Sequence, residues 1–299
     1  MAIIIPDQYH IEKQLQKHRV HCITPQQANH QDIRPLRIGI LNIMPMAETY
    51  EFNLLYLLGR SVLQIEPVFL RLKTHTYSSS KLSHIDEHYV SFDEAIKEKG
   101  FDGLIITGAP VEAIPFEKVT YWDEFMEILD HAHEHIAATL GICWGGLALA
   151  KYFGIEKENY EKKLFGLYPT KNIDRNHRVT GDLDDIFWCP QSRHSGIPDH
   201  ILEEEERKGN IRLLAHNDEA GYVIFESSDE KMLMHLGHAE YQTQRLVEEY
   251  RRDLNRGRDD VTIPVNIDLE HPVNNWRSHG QEFFLQWIKK CYLDTPYEI

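Results

Sequence analysis

The stretch H-I-A-A-T-L-G-I-C-W-G-G-L-A-L-A, residues 135–150, constrains this chain more than any other. Residues 136–142 form an apolar run of buried-strand length, and residues 147–150 open a helix of small and apolar side chains. Between them, Cys143 stands on a strand-to-helix turn with glycine on either side, the thiol counterpart of a nucleophile elbow. Glycine lets such a turn close without Cβ clashes, and the N-terminus of the following helix favours a thiolate. Taken alone, the stretch also reads as a structural cysteine buried at a strand end.

The rest of the chain repeats the strand-then-helix rhythm. Strands are expected over 37–44, 63–70, 101–107 and 136–142, and helices over 48–58, 92–99 and 122–135. This alternation implies an α/β fold: a mostly parallel sheet with helices on both faces. Ligands in such sheets sit beyond the carboxyl ends of the strands, so the loops at Gly108 and Cys143 should line one crevice. The second half reads as short strands over 164–169, 187–190, 211–216, 222–226 and 231–236. Helices are expected over 242–255 and 280–292. Residues 1–34 read as an N-terminal arm packing on one domain of residues 35–299. Residues 74–83 form a serine-rich loop at a rim or lid, and residues 203–206 a solvated acidic run.

A formal net charge of −15 over 299 residues argues against nucleic acid and anionic membrane as partners. Four cysteines at 22, 143, 189 and 291 have neither metal-ligand nor disulfide-framework spacing. No metal is expected, His131, His133 and His135 being read as not sharing a face. The opening M-A-I-I-I-P-D has no basic region or long apolar core, so a cytoplasmic location is expected.

The second informative stretch is L-G-H-A-E-Y at 236–241. Two apart at a strand end, His238 and Glu240 should face one site, the carboxylate holding the imidazole's tautomer. They supply the base and its orienter, and Cys143 the nucleophile. The backbone N–H groups of Ala109 and Trp144 are candidate oxyanion donors. W-R-S-H-G at 276–280 reads equally as a substrate contact or as a helix entry with a packing tryptophan.

With these residues in hand, the chain resembles the homoserine O-acyltransferase family. The likeness is carried by I-C-W-G at Cys143, G-H-A-E-Y at 237–241, I-T-G-A-P-V-E at 106–112 and W-R-S-H-G. It continues in L-N-I-M-P at 41–45, K-L-F-G at 163–166, P-Q-S-R-H at 190–194 and the terminal T-P-Y. The resemblance implies a fold like that of class I glutamine amidotransferases, flavodoxin-like, and an acyl-enzyme on Cys143. The acyl group would pass from CoA to an amino-acid hydroxyl. It also implies amino-acid contacts from Lys163, Ser192 and Arg252, and donor choice at Glu112, where glutamate goes with acetyl-CoA and glycine with succinyl-CoA.

The expected partners are therefore two small molecules, acetyl-CoA as co-substrate and L-serine or L-homoserine as acceptor, with no bound cofactor and a homodimer left open. Two departures bear on the acceptor. Met46 and Ala47 stand where a lysine is expected, and Gly146 and Leu147 where a small residue and glutamine are usual. A shorter, more apolar pocket would suit serine. Two rival readings remain: a glutamine amidotransferase or γ-glutamyl hydrolase, betrayed by glutamine hydrolysis, and a non-catalytic thiol sensor, betrayed by absence of any acyl adduct.

Overall fold

The computed structural model describes residues 2–296, so Tyr297 of the terminal T-P-Y lies outside the described residues. In chain order the elements are β1 (Ala2–Ile4), α1 (Glu12–Lys17), β2 (His21–Ile23), α2 (Pro25–Ala28), β3 (Leu36–Leu41), α3 (Ala47–Leu58), β4 (Ile65–Arg71), α4 (Leu82–His88), β5 (Tyr89–Ser91), α5 (Phe92–Glu98) and β6 (Gly103–Ile106). There follow α6 (Trp122–His135), β7 (Ala138–Ile142), α7 (Trp144–Tyr152), β8 (Glu158–Asn172), β9 (Ile186–Gly196), α8 (Asp199–Arg207), β10 (Ile211–Asn217), β11 (Gly221–Ser227), β12 (Met232–His235), α9 (Arg245–Asn255) and α10 (Arg277–Asp294).

One sheet runs β2-β1-β4-β3-β6-β7-β12-β11-β10-β8-β9, with β5 added beside β4. Every pairing from β2 to β12 is parallel, and the run from β12 through β11, β10 and β8 to β9 is antiparallel. The central strands β3, β6 and β7 are buried at every position, as strands covered on both faces must be. Their side chains divide by alternation. Ile38, Ile40 and Ile105 join one core with Leu54 and Leu55 of α3 and Phe283, Phe284 and Trp287 of α10. Leu41, Leu104 and Ile106 join the other with Phe92 of α5, Phe125 and Leu129 of α6, and Leu147 and Leu149 of α7. Helices therefore cover both faces, as the alternation predicts.

Several local expectations are corrected. Residues 2–23 add to the sheet beyond β4: β1 pairs in parallel with β4 at Ile3 and Ile65 and with β2 over three residues, runs too short for periodicity to reveal. The segments read as 164–169 and 187–190 belong to strands of 15 and 11 residues, a hairpin pair whose middle alone is apolar enough to be legible. The acidic run at 203–206 is solvated as expected, on α8 beside the buried Leu202. His131 and His135 do share a helix face, their rings 4.6 Å apart, because residues four apart lie one above the other.

Candidate active site

Cys143 terminates β7 and caps α7 with φ 52° and ψ −113°, a strained backbone for a side chain other than glycine. Two glycines make this possible. A Cβ on Gly141 would lie 2.6 Å from the backbone of Gly145, and one on Gly145 would lie 2.5 Å from the carbonyl of Ile106. The elbow is pinned to β12 by the Cys143 N–H, which donates to the His235 carbonyl at 2.8 Å. Trp144 is the first residue of α7, so its N–H has no partner within the helix. Gly108 lies opposite: a Cβ there would stand 3.5 Å from Cys143 Cβ and 3.8 Å from His238 Cε1. The loops after β6 and β7 thus meet as strand order demands, Gly108 facing the thiol and Ala109 following it in the chain.

His238 and Glu240 are both buried and joined, His238 Nδ1 to Glu240 Oε1 at 2.6 Å. The expected strand end is corrected here. β12 stops at His235, and the pair lies in a turn closed by the Tyr241 N–H donating to the His238 carbonyl. The turn brings the carboxylate back under its own imidazole, which an extended chain does not do. The other ring nitrogen is left to meet Cys143, with which His238 is hydrogen-bonded. Burial works against charge on this ring. Glu240 and Cys143 outweigh it, and the His238 pKa stands at about 10 against an ordinary 6.5.

Other elements fix the turn. The His238 N–H donates to the Pro190 carbonyl at 2.9 Å. Gly237 is needed because a Cβ would lie 2.4 Å from Cys189 Sγ and 2.8 Å from the Pro190 carbonyl. Trp276 Nε1 donates to the Tyr241 carbonyl at 2.9 Å, and a Cβ on Gly280 would meet the Ala239 carbonyl at 2.4 Å. The W-R-S-H-G motif is thus a helix entry braced against the turn that holds His238 and Glu240. Sequence reading missed Tyr50, whose hydroxyl donates to Glu240 Oε1 at 2.6 Å from the buried face of α3. No local pattern links residues 190 positions apart. Tyr50→Phe is expected to lower kcat about 10-fold with little change in KM, one lost hydrogen bond to a buried charge being worth about 1.5–3 kcal/mol at most. Steady-state kinetics together with the pH profile check it, since a purely structural tyrosine would leave the profile in place.

Lys163, Ser192 and Arg252 converge on two carboxylates of α9. Lys163 Nζ lies 2.9 Å from Asp253 and 3.8 Å from Glu249. Ser192 Oγ donates to Glu249 at 2.5 Å, and the Arg252 fork engages Asp253 through Nε at 2.9 Å. Glu249 also accepts from Tyr241 at 2.9 Å and pairs with Arg245 at 3.1 Å. Burial alone would raise its pKa, but Lys163, Arg245 and His238 hold the carboxyl down at about 2. The Tyr241 ring stacks on His238 at 4.0 Å, so one side chain joins the His238–Glu240 pair to this charged patch. Glu249 and Asp253, four apart on α9, are the partners of these side chains that the E-Y-R-R-D stretch could have revealed. Glu112 lies on the loop after β6, its carbonyl held by Ser195 Oγ at 2.7 Å and by Lys157. Burial pushes its carboxyl up, while Lys163 and Arg258 oppose that.

Of the departures, Ala47, Gly146 and Leu147 lie in packing, while Met46 is exposed. Leu147 is buried in the core around α6 and α7, and Gly146 packs against Leu236 and the His235 backbone. Ala47 is buried in the other core, and its N–H is capped by Ser80 Oγ at 2.9 Å. The serine-rich loop therefore caps α3. Among the described residues no helix is long and apolar enough to cross a membrane.

A family model described as homoserine O-succinyltransferase matches residues 2–297. The homoserine O-acetyltransferase of Bacillus subtilis is 38% identical over 303 residues, covering 100% of this chain and 99% of that protein. That of Petrotoga mobilis is 39% identical over 306 residues, covering 100% and 97%. Among solved structures, a glutamine amidotransferase from Thermotoga maritima superposes with a TM-score of 0.56 at 13% identity, covering 86% of this chain and 98% of that one. A glutamine amidotransferase from Methylobacillus flagellatus gives 0.55 at 13% identity, covering 87% and 96%. At such identities the likeness speaks for fold alone, and the fold is that of the class I glutamine amidotransferases.

Proposed function

The chain belongs to the homoserine O-succinyltransferase family, and on that premise we propose that it is an acetyl-CoA-dependent O-acetyltransferase acting on the side-chain hydroxyl of a small amino acid, an activating step in methionine or cysteine biosynthesis. The observation that carries this reading is the patch of both charges, Lys163, Arg245 and Arg252 against Glu249 and Asp253, joined to the triad through Tyr241. A zwitterionic amino acid is complementary to such a patch, and Arg252 offers its α-carboxylate a two-pronged donor.

In the first half-reaction the Cys143 sulfur attacks the thioester carbonyl, and the Trp144 and Ala109 N–H groups stabilise the oxyanion. The carbon–sulfur bond to CoA breaks, and His238 protonates the departing CoA thiol. Acylation removes charge from Cys143, one cause of the raised His238 pKa, so the ring becomes a better base for the second half. His238 then takes the hydroxyl proton, the oxygen attacks the thioester on Cys143, and the thiol is restored. The kinetics are ping-pong.

Acetyl over succinyl rests on Glu112. A site whose burial already resists ionisation of its own glutamate resists a succinyl carboxylate more. Glu112→Gly is expected to raise the succinyl-CoA to acetyl-CoA ratio of kcat/KM about 100-fold, the effect of removing roughly 2.8 kcal/mol of like-charge repulsion at intermediate dielectric. Competition between the two donors reads this directly.

L-Homoserine is the acceptor favoured by the relatives and by the placement of Ala47, Gly146 and Leu147 in packing. L-Serine is the second reading, favoured by the absent lysine at Met46–Ala47. Purified protein assayed with both donors and both acceptors tests the whole proposal: acetylation of one amino acid supports it, and glutamine hydrolysis without acyl transfer overturns it.

A further inference from the structure

Glu51 sits on α3 with no side-chain exposure, an ionisable group that the acyl-transfer site does not use. Its Oε2 accepts from the Tyr9 hydroxyl, and its Oε1 accepts from the Tyr89 hydroxyl at 2.8 Å. Two imidazoles close over it from other elements. His84 Nε2 of α4 lies 2.7 Å from Oε1, and His10 Nε2 lies 3.6 Å from Oε2. One ligand atom from each of the three residues can be chosen so that all lie within 4.8 Å of one another. We propose that His10, Glu51 and His84 form a binding site for a transition-metal dication of the zinc class.

The geometry supports this on three counts. Nitrogen and oxygen ligands about 2.0–2.1 Å from a tetrahedral zinc stand about 3.3 Å apart, and one ligand atom from each of His10, Glu51 and His84 already lies within 4.8 Å of the other two. Side-chain rotation that draws His10 inward and opens the 2.7 Å contact between His84 and Glu51 seats the ion. Two imidazoles and one carboxylate select zinc, cobalt or nickel over calcium or magnesium, which prefer all-oxygen sites. The Tyr9 and Tyr89 hydroxyls hold the carboxylate from behind, the supporting layer that orients a metal ligand. His10, with its side chain 35% exposed, leaves the ion a path from solvent, and water completes the coordination.

The consequence reaches the catalytic site through one residue. Tyr50, whose hydroxyl holds Glu240, is the neighbour of Glu51 on α3. An ion here ties the segment before α1, α3 and α4 into one block and steadies the helix that positions the triad's carboxylate. This inference stands on its own residues and does not require the acetyl-transfer reading.

The test is equilibrium dialysis of the full chain against Zn²⁺, in the wild type and in Cys143→Ala, which removes the catalytic thiol as a competing ligand. One tightly held equivalent is expected in both, and Co²⁺ in its place should give the intense visible bands of a four-coordinate site. His10→Ala/His84→Ala is expected to weaken binding at least about 100-fold, since loss of ligands exceeds the 10–100-fold cost of losing their supporting partners. His131→Ala/His135→Ala, a histidine pair in ring contact on α6, should bind as the wild type does. Where the double variant loses its fold, His10→Gln alone carries the same comparison. Equal affinity with and without the histidines overturns the proposal, as does binding that vanishes in Cys143→Ala.

Discussion

Cys143→Ala is expected to lower kcat/KM for acyl transfer by at least about 10⁴-fold while leaving the protein folded, because removing a catalytic nucleophile leaves only binding and oxyanion stabilisation. The alanine keeps the same Cβ and so adopts the same φ of 52°. Stability should move by no more than about 1 kcal/mol, for only one buried sulfur is lost. Intact-protein mass spectrometry with acetyl-CoA and no acceptor checks the assignment. The wild type gains one acetyl group and the variant none, and an adduct that persists in the variant rules out Cys143. Cys143→Gly separates strain from chemistry. It should be equally inactive yet about 1 kcal/mol more stable than Cys143→Ala, since the positive φ costs a Cβ-bearing residue about 1–3 kcal/mol. A higher thermal midpoint for the glycine variant would locate stored strain at the elbow.

Glu240→Gln should cost about 10³–10⁴-fold in kcat, the scale seen when the carboxylate of a catalytic triad becomes an amide and the imidazole is held in the wrong tautomer. The amide still accepts from Tyr50, so the fold persists. The decisive readout is the His238 titration by NMR, which should fall from about 10 once the nearest charge sustaining it is removed. The sign of the stability effect follows. A folded-state pKa of about 10, above the ordinary 6.5, gives stabilisation complete below about pH 6.5 and lost as pH rises through 10. In Glu240→Gln that alkaline loss begins at lower pH. An unchanged His238 titration would deny Glu240 its role.

Legibility followed contact range. The elbow was legible because strand, turn and helix are contiguous and its glycines are demanded by backbone approaches of 2.5–2.6 Å. Glu240 was found through its spacing from His238, although the conformation that pairs them is a turn and not a strand end. The three-residue strands β1 and β2 were not legible, since so short a run carries no periodicity and is held by neighbours across the sheet. Glu249 was visible only as part of a charged stretch. Its role emerges when Lys163, Ser192 and Arg245 from three separate elements close around it.

By itself, then, the sequence determined the alternating α/β plan and the family, and it singled out Cys143, His238 and Glu240 as candidates, because each is written in local patterning or in short motifs. Tertiary structure alone decided what those parts touch. It brought Tyr50 to Glu240 across 190 residues, packed Leu147 into the core, and gathered His10, Glu51 and His84 at one point. The reason is physical: side-chain contacts between distant elements depend on how twisted strands and helices pack, and no periodicity along the chain encodes that packing.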